Sequence, residues 1–472
     1  MILYHILQNL QLLFFVILCI MGYGDNMKDI NKTEVINLRE IKKRSKKKLD
    51  YKFILTRIMP SLLVPGLIVL TIISTHSKRL ILTPISYLVY ILLALFIYLF
   101  SISFFVLKKK NKGKSTNIKT ILYRIFIVLY IIGCTIFTLV LYGPIDNFRS
   151  WLISTSMSTM SHDYICKWFY SDEEIAKVLN SNYIVEIEED TNTDLIEIPE
   201  EETTEEVVYE NEYEEQILKR EENVPYKLIQ LEVNGQNAYL AAIYDPSKVK
   251  VATSRGVGKY GQYATKMAED NNAILATNGG GFGNAYGDTT GGVPTGVTIK
   301  NGKIISDNVY GTSVQGGGLI GLTYDNKLIL IRNATGKKAL DAGVRDGVSW
   351  GPFLITNGQK AFIKGNGGWG YAARTAIGQR ADGIILLLVV DSNSTRTKGA
   401  SMVDLTNIMS NYGAINAANL DGGTSSVMIL PQKEALNYIS SCNKSHCYIN
   451  DPVDSTLAHK TRGIATSIIV TE

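Results

Sequence analysis

The sequence predicts an α+β extracytoplasmic domain, with a mixed β-sheet and few helices, preceded by an α-helical transmembrane region. Three observations carry that expectation. Phe53–Thr75, Leu80–Leu107 and Ile118–Pro144 are each apolar and long enough to span a bilayer, which takes about 20 residues. After Pro225, most of the 40 glycines of the chain punctuate short β-branched runs, the signature of strands and tight turns. Helical spacing is limited there to two segments.

The 472 residues leave room for several units of ordinary domain size, and the formal charge of +4 is sorted by region. Lys42–Lys48 (KKRSKKK) and Lys108–Lys114 (KKKNKGK) flank apolar stretches, so a bilayer accounts for them and nucleic acid does not. The preference of Lys and Arg for the cytoplasmic side puts both runs inside, and three spans then carry the rest of the chain outside. Arg124 lies near one end of its stretch, where a long side chain reaches the headgroups. The spans hold few charges of the kind that mark a transport path, so they read as anchors. Ile2–Ile20 lacks the basic start and small-residue cleavage site of a signal peptide; it is a further span or lies ahead of a start at Met27.

The expected organisation is therefore an N-terminal segment (1–52), the three spans (53–144), a juxtamembrane stalk (145–185) with an amphipathic helix over Ser154–Leu179, an acidic linker (186–224) and a large domain (225–472). Glu186–Glu222 is dominated by Glu and Asp. Such a segment buries too little apolar surface to offset its ordering entropy, which predicts a disordered, self-repelling spacer.

Within the domain, strands are expected at Tyr239–Tyr244, Ala273–Thr277, Val297–Ile299, Leu328–Arg332, Gly383–Val390, Ala414–Leu420, Val427–Leu430 and Ile464–Val470. Helices are expected at Tyr260–Asn271 and Met402–Tyr412. The second has Met402, Leu405, Ile408, Met409 and Tyr412 on one face and Gly413 as its stop. Asn301-Gly302 reads as a hairpin turn.

The domain has two histidines, His446 and His459, neither in a recognisable motif, which argues against a Ser-His-Asp triad, a histidine-rich zinc site or a histidine base. Cys442 and Cys447 enclose Asn-Lys-Ser-His. Outside the membrane they suit a local disulfide, and no second Cys/His pair completes a four-ligand site, so neither metal nor cofactor is expected.

What the domain has instead is a set of glycine-rich turns at strand ends. ATNGGGFG places Asn278, Gly279 and Gly280 at the exit of one strand, and GGVPTGVTIKNGKII leads through Thr295 and Gly296 into a hairpin. YAARTAIGQRADG offers Arg374 and Thr375 before a small-residue turn, IILLLVVDS ends on Asp391, and NLDGGTSS carries Asp421, Gly422, Gly423, Ser425 and Ser426. Glycines let a backbone approach a ligand and aim N–H groups at an anion. Arginine adds a forked donor for phosphate or carboxylate, and a carboxylate at a strand end is rigidly held. The set suits an anionic substrate that also needs a negative group beside it.

These ordered motifs, from NGGGFG through GAINAANLDGGTSS, closely resemble the phosphodiester glycosidase family over roughly Lys227–Val470. The resemblance implies hydrolysis of a sugar 1-phosphodiester that leaves a phosphomonoester, with N-acetylglucosamine as the released sugar. It places family motifs on Asn278, Gly279 and Gly280, on Thr295 and Gly296, on Arg374, on Asp391, and on Asp421, Gly422, Gly423, Ser425 and Ser426. The chain departs from the pattern at Asp391-Ser392-Asn393, where relatives read Asp-Gly-Arg, so a phosphate-binding arginine there would have to be Arg396 or be absent. Asp404 falls where relatives carry Glu.

The chemistry is consistent with these residues. An ordinary glycoside needs a carboxylic acid to protonate its leaving group and a second carboxylate at the ring. A phosphomonoester already leaves well, so anion recognition plus one carboxylate suffices. Arg374 and the glycine-rich backbone are expected to hold the phosphodiester. Asp421 or Asp391 is expected to face the anomeric carbon as nucleophile or as base for water, and Asn278 and Ser425, with Thr375 nearby, to orient the sugar. The expected partners are a sugar phosphodiester or anionic polysaccharide and the bilayer. Competing readings are a non-catalytic scaffold for an anionic envelope polysaccharide and a phosphodiesterase that cuts the other P–O bond.

Overall fold

The computed structural model describes residues 141, 146–157, 166–167, 169–199, 208–221, 223–283, 291–308, 317–392, 399–452 and 461–472. All fall in one of the two compact units of the chain. Apart from Leu141, the candidate spans lie outside the described residues, as do Ile2–Ile20, both basic runs, Arg396 and His459. Among the described residues no helix is long and apolar enough to cross a membrane.

Among the described residues the stalk holds more than one helix where one was expected. Helix α1 (Asp146–Met157) and helix α2 (Asp172–Ser181) are separate because Ser171 starts the second: its side chain accepts from Glu174 N, as an N-cap does. The stretch expected to be a disordered spacer also differs in its described parts. Strand β1 (Tyr183–Val185) pairs outside the acidic run, and the Glu186 carboxylate then accepts from Gly317 N at 2.6 Å and Phe353 N at 2.7 Å. Arg332 donates to the Ile187 carbonyl, Thr191 bonds the Leu330 backbone, and Ile196 is fully buried. Helix α3 (Glu212–Leu218) buries Ile217. Ile196 and Ile217 of the stretch are buried while Leu195 and Val208 stay exposed, and of its carboxylates Glu186 faces Arg332 and Glu214 faces Arg380, each at 3.7 Å.

The domain begins with strands β2 (Tyr226–Val233), β3 (Gln236–Ile243) and β4 (Val249–Thr253), helix α4 (Ala264–Asp270), then β5 (Leu275–Asn278), β6 (Phe282–Gly283), β7 (Val293–Pro294), β8 (Gly296–Lys300) and β9 (Lys303–Asn308). It continues with β10 (Gly318–Thr323), β11 (Leu328–Ile331), helix α5 (Gly336–Asp341), β12 (Val344–Trp350), β13 (Phe353–Thr356), β14 (Gln359–Lys360), β15 (Phe362–Lys364), β16 (Arg374–Arg380) and β17 (Ile385–Val390). Helix α6 (Met402–Asn411), β18 (Ala414–Asn419), β19 (Met428–Pro431), helix α7 (Gln432–Ala435), β20 (His446–Tyr448) and β21 (Thr466–Val470) complete it.

The strands form three larger sheets, ordered β14-β13-β18-β16-β17-β3-β2, β11-β10-β12-β8-β9 and β20-β19-β5-β21-β4. The α+β expectation holds, but the ladders refine the mixed sheet: their pairs run antiparallel. Asn-Gly turns are one reason, because both residues take the positive φ that a tight hairpin demands: 52° and 75° at Asn234-Gly235, 48° and 68° at Asn301-Gly302.

The seven-stranded sheet is buried on both faces. Along β17, Ile385, Leu387 and Val389 enter one core, and Leu386, Leu388 and Val390 enter the other, against Leu405 and Met409 of α6. This explains why β17 reads as an uninterrupted apolar run. Leu387 is fully buried, and Leu387→Ala is expected to lower unfolding free energy by roughly 2–5 kcal/mol, measured by chemical denaturation. A loss below 1 kcal/mol would show that the site collapses on the cavity. Helix α6 starts on a reciprocal cap, in which Ser401 Oγ accepts from Asp404 N and Asp404 Oδ2 accepts from Ser401 N at 2.8 Å. The Asp404 carboxylate is thereby part of the helix start.

Candidate active site

Two sheets meet end to end where β5 finishes at Asn278 and β18 runs out into Leu420 and Asp421. Asn278 joins them. Its Nδ2 donates to the Asp421 carbonyl at 2.7 Å, and its Oδ1 accepts from Thr375 Oγ1 at 2.7 Å and from Val427 N at 3.2 Å. The side chain is buried, so Asn278 positions the Asp421 turn, in contrast to the sugar-orienting role expected of it. Thr375, fully buried, acts through the same bond, and its carbonyl accepts from Leu420 N at 2.8 Å.

The glycines also do other work than the anion cradle expected of them. Gly279 N donates to the Thr466 carbonyl, Gly280 N to Thr466 Oγ1 and Gly281 N to the Ser349 carbonyl. These N–H groups hold the fold. The requirement for glycine is steric: a Cβ on Gly280 would sit 2.6 Å from Ser349 O, and one on Gly281 would sit 1.8 Å from the Trp350 ring. Gly423 takes φ +63° and donates to the Ala373 carbonyl at 2.7 Å, closing the turn after Asp421. Ser425 and the Gly422 N–H bond the Asp421 carboxylate itself.

Arg374 opens the buried strand β16, where a turn position was expected; flanking strands on both sides cover it. Its guanidinium donates to the carbonyls of Ala400, Trp369 and Gly370. Gly370 in turn lies against α1, where an added Cβ would meet Thr155 Oγ1 at 2.4 Å. Burial lowers the Arg374 pKa to about 10, opposed by the negative charge of Asp421. Burial likewise pushes half-buried Asp421 up to about 6, while Ser425, Arg462, the Gly422 N–H and Arg374 each pull it down. The carboxylate thus lies in the field of two guanidinium groups.

Arg462 escaped the sequence reading. It is exposed, stacks over the Phe282 ring with 4.6 Å to the centroid, and acts on Asp421 from the open side. The only signal was a single arginine four residues before the last strand. Asp391 is held apart from Asp421: its oxygens accept from Asn450 Nδ2 at 2.8 Å and Asp451 N at 3.1 Å. Burial pushes it to about 6, with those two bonds opposing. Asn450 links it to the Asp421 turn, donating also to the Ser426 carbonyl at 3.1 Å. Two buried atoms flanking the turn, Asn419 Oδ1 and Ser426 Oγ, have no hydrogen-bond partner among the described residues.

Thr295 and Gly296 line a neighbouring cavity. The wall between is Gly279–Gly281, since Asp421 N donates to Gly279 O at 3.2 Å and Thr295 N to Gly281 O at 2.8 Å. Cys442 and Cys447 form a disulfide, and His446 Nε2 lies 2.8 Å from the Ala273 carbonyl, so the donors of that segment are already engaged.

Residues 271–471 match the family described as phosphodiester glycosidase. The chain is 25% identical over 217 residues to the SPbeta prophage-derived uncharacterized protein YomE of Bacillus subtilis (strain 168), which covers 43% of this chain and 32% of that protein. It therefore spans about a third of the length of this curated relative. Among solved structures, the catalytic domain of zebrafish N-acetylglucosamine-1-phosphodiester alpha-N-acetylglucosaminidase is similar at 20% identity and a TM-score of 0.41, covering 54% of this chain and 87% of that one. A hypothetical protein from Synechocystis is similar at 16% identity and a TM-score of 0.35, covering 52% and 61%.

Proposed function

We propose that this chain, whose residues 271–471 match the phosphodiester glycosidase family, hydrolyses a sugar 1-phosphodiester at its C1–O bond, releasing the free sugar and a phosphomonoester. The observation that carries the reading is the Asp421 carboxylate, bonded by Ser425 and the Gly422 N–H on a turn closed by main-chain bonds, with the charges of Arg462 and Arg374 both acting on it. A glycosyl centre becomes cationic as its bond breaks, and a fixed anion stabilises it without reorganisation. Asp421 serves there as nucleophile or as base for water. The phosphoryl group departs as an anion, so no strongly tuned acid is needed. Arg462, exposed beside Asp421, meets that phosphate. Arg374, buried and donating to three carbonyls, contributes its field and fixes the turn.

With its pKa at about 6, Asp421 is ionised at neutral pH. Purified full-length chain is expected to release reducing sugar from an N-acetylglucosamine α-1-phosphodiester. Its kcat/KM should fall about tenfold per unit as pH drops below about 6. A profile flat down to pH ~4, the ordinary carboxylate range, would remove Asp421 from the chemistry.

The scaffold reading draws on one observation, that the Gly279–Gly281 N–H groups are engaged within the fold. It requires polysaccharide binding with no sugar release in the same assay. For placement, we read the chain as a multi-pass membrane protein with this domain outside the cytoplasm, acting in envelope or exopolysaccharide metabolism. The Cys442–Cys447 disulfide supports an oxidising compartment.

A further inference from the structure

The cavity beside the glycine wall is separate from the Asp421 turn in its lining and its charge. It has a volume of about 380 Å³, in the lower part of the ~300–1,000 Å³ range of small-molecule sites. Its lining includes Glu186, Thr295, Asp307, Arg332, Asn333 and Trp350. Trp350 is the shared wall. Its ring lies on Gly281, and it meets Trp369, whose carbonyl anchors Arg374, at 6.3 Å between centroids.

Two carboxylates, Glu186 and Asp307, face this cavity with one guanidinium, Arg332, which already donates to the Ile187 carbonyl and stands 3.7 Å from Glu186. An anion entering there would meet net negative charge. A neutral polyhydroxy ring would find acceptors, a donor, a threonine hydroxyl and an aromatic wall, the mixture that orients a sugar by its hydroxyls and its apolar face. Glu186 is not part of the matched family domain. It is fixed by its bonds from Gly317 N and Phe353 N, so the segment before the domain builds one wall of the cavity.

We propose that this cavity is a subsite for an uncharged sugar ring, and that Glu186, delivered from the acidic segment, is a specificity-determining residue for it. This rests on the sugar 1-phosphodiester reading: the cavity holds a neutral ring of the substrate other than the one whose C1 faces Asp421, across the Gly279–Gly281 wall. The uncharged subsite then selects substrates that carry a neutral sugar at that position and excludes uronic acids there.

The test is saturation-transfer NMR on purified full-length chain with free N-acetylglucosamine, glucose and glucuronic acid as probes, beside the hydrolysis assay. At least one neutral sugar is expected to bind, with glucuronic acid at least tenfold weaker than glucose. Glu186→Gln, which keeps the shape, and Thr295→Val, which removes one hydroxyl at nearly constant volume, should each weaken binding at least tenfold. Asp421→Asn should bind the sugar like the parent. Absence of neutral-sugar binding, equal binding of glucuronic acid, or binding unchanged in both cavity variants overturns the proposal. Sugar binding that responds to Glu186→Gln in a chain that hydrolyses no phosphodiester overturns the catalytic reading and leaves the subsite standing.

Discussion

Replacing Asp421 by Asn is expected to lower hydrolysis of a sugar 1-phosphodiester by roughly 10²–10⁴-fold or more, with the fold intact. The loss follows from removing the carboxylate on which both Arg462 and Arg374 act. The fold should tolerate it because the amide oxygen still accepts from Ser425 and the Gly422 N–H, and the main-chain bonds that fix the turn, Asp421 N to Gly279 O and Asn278 Nδ2 to Asp421 O, involve no carboxylate. The sign of the pH effect on stability separates this from misfolding. The Asp421 pKa rises on folding from an ordinary 3.8 to about 6, so the folded state binds the proton first and stability increases as pH falls from about 6 toward about 4. The variant should lose that gain and be at least as stable as the parent at pH 7 by chemical denaturation. An active variant, or one markedly less stable at pH 7, would contradict the assignment.

Arg374→Met carries the largest expected stability effect. The guanidinium is buried, donates to three main-chain carbonyls and offsets the charge of Asp421. A methionine fills much of the volume but leaves Ala400, Trp369 and Gly370 carbonyls without that donor and Asp421 without its buried counter-charge. Leaving a buried acceptor without its donor costs roughly 1–3 kcal/mol apiece, and three carbonyls are left here. Denaturant midpoints should report that loss. The acid limb of any residual activity should move above pH 6, because Arg374 no longer pulls Asp421 down. A variant as stable as the parent would mean that Arg374 is held for contact with substrate alone.

Legibility in the sequence followed locality. Helix α6 could be read to its boundary because Ser401, Asp404 and Gly413 are neighbours of the residues they cap. The hairpin at Asn301-Gly302 announced itself, and the same signal at Asn234-Gly235 marks the β2–β3 turn that was passed over. Strand β16 was hidden because Arg-Thr-Ala-Ile-Gly-Gln-Arg has little strand propensity; burial between β17 and β18 decides it. The acidic segment misled for the same reason. Its partners, Arg332, Asn357 and Leu330, lie more than a hundred residues away, and composition cannot show them.

The candidate site was legible as a constellation and less so in its roles. Asn278, Thr375, Arg374 and Asp421 do converge, from strands β5 and β16 and the turn after β18. The glycines drew attention for their freedom, whereas Gly280 and Gly281 are required because main chain and an indole ring occupy the space of a Cβ. Arg462 stands alone in sequence, and only folding brings it over Phe282 and beside Asp421.

Hydrolysis of a sugar 1-phosphodiester by the full-length chain in oxygen-labelled water reports most directly on whether Asp421 works at the anomeric carbon. The expected result is label in the released sugar and none in the phosphomonoester. Label in the phosphate would place the cut on the other side of the bridging oxygen, and the Asp421 carboxylate would then have no cationic centre to face.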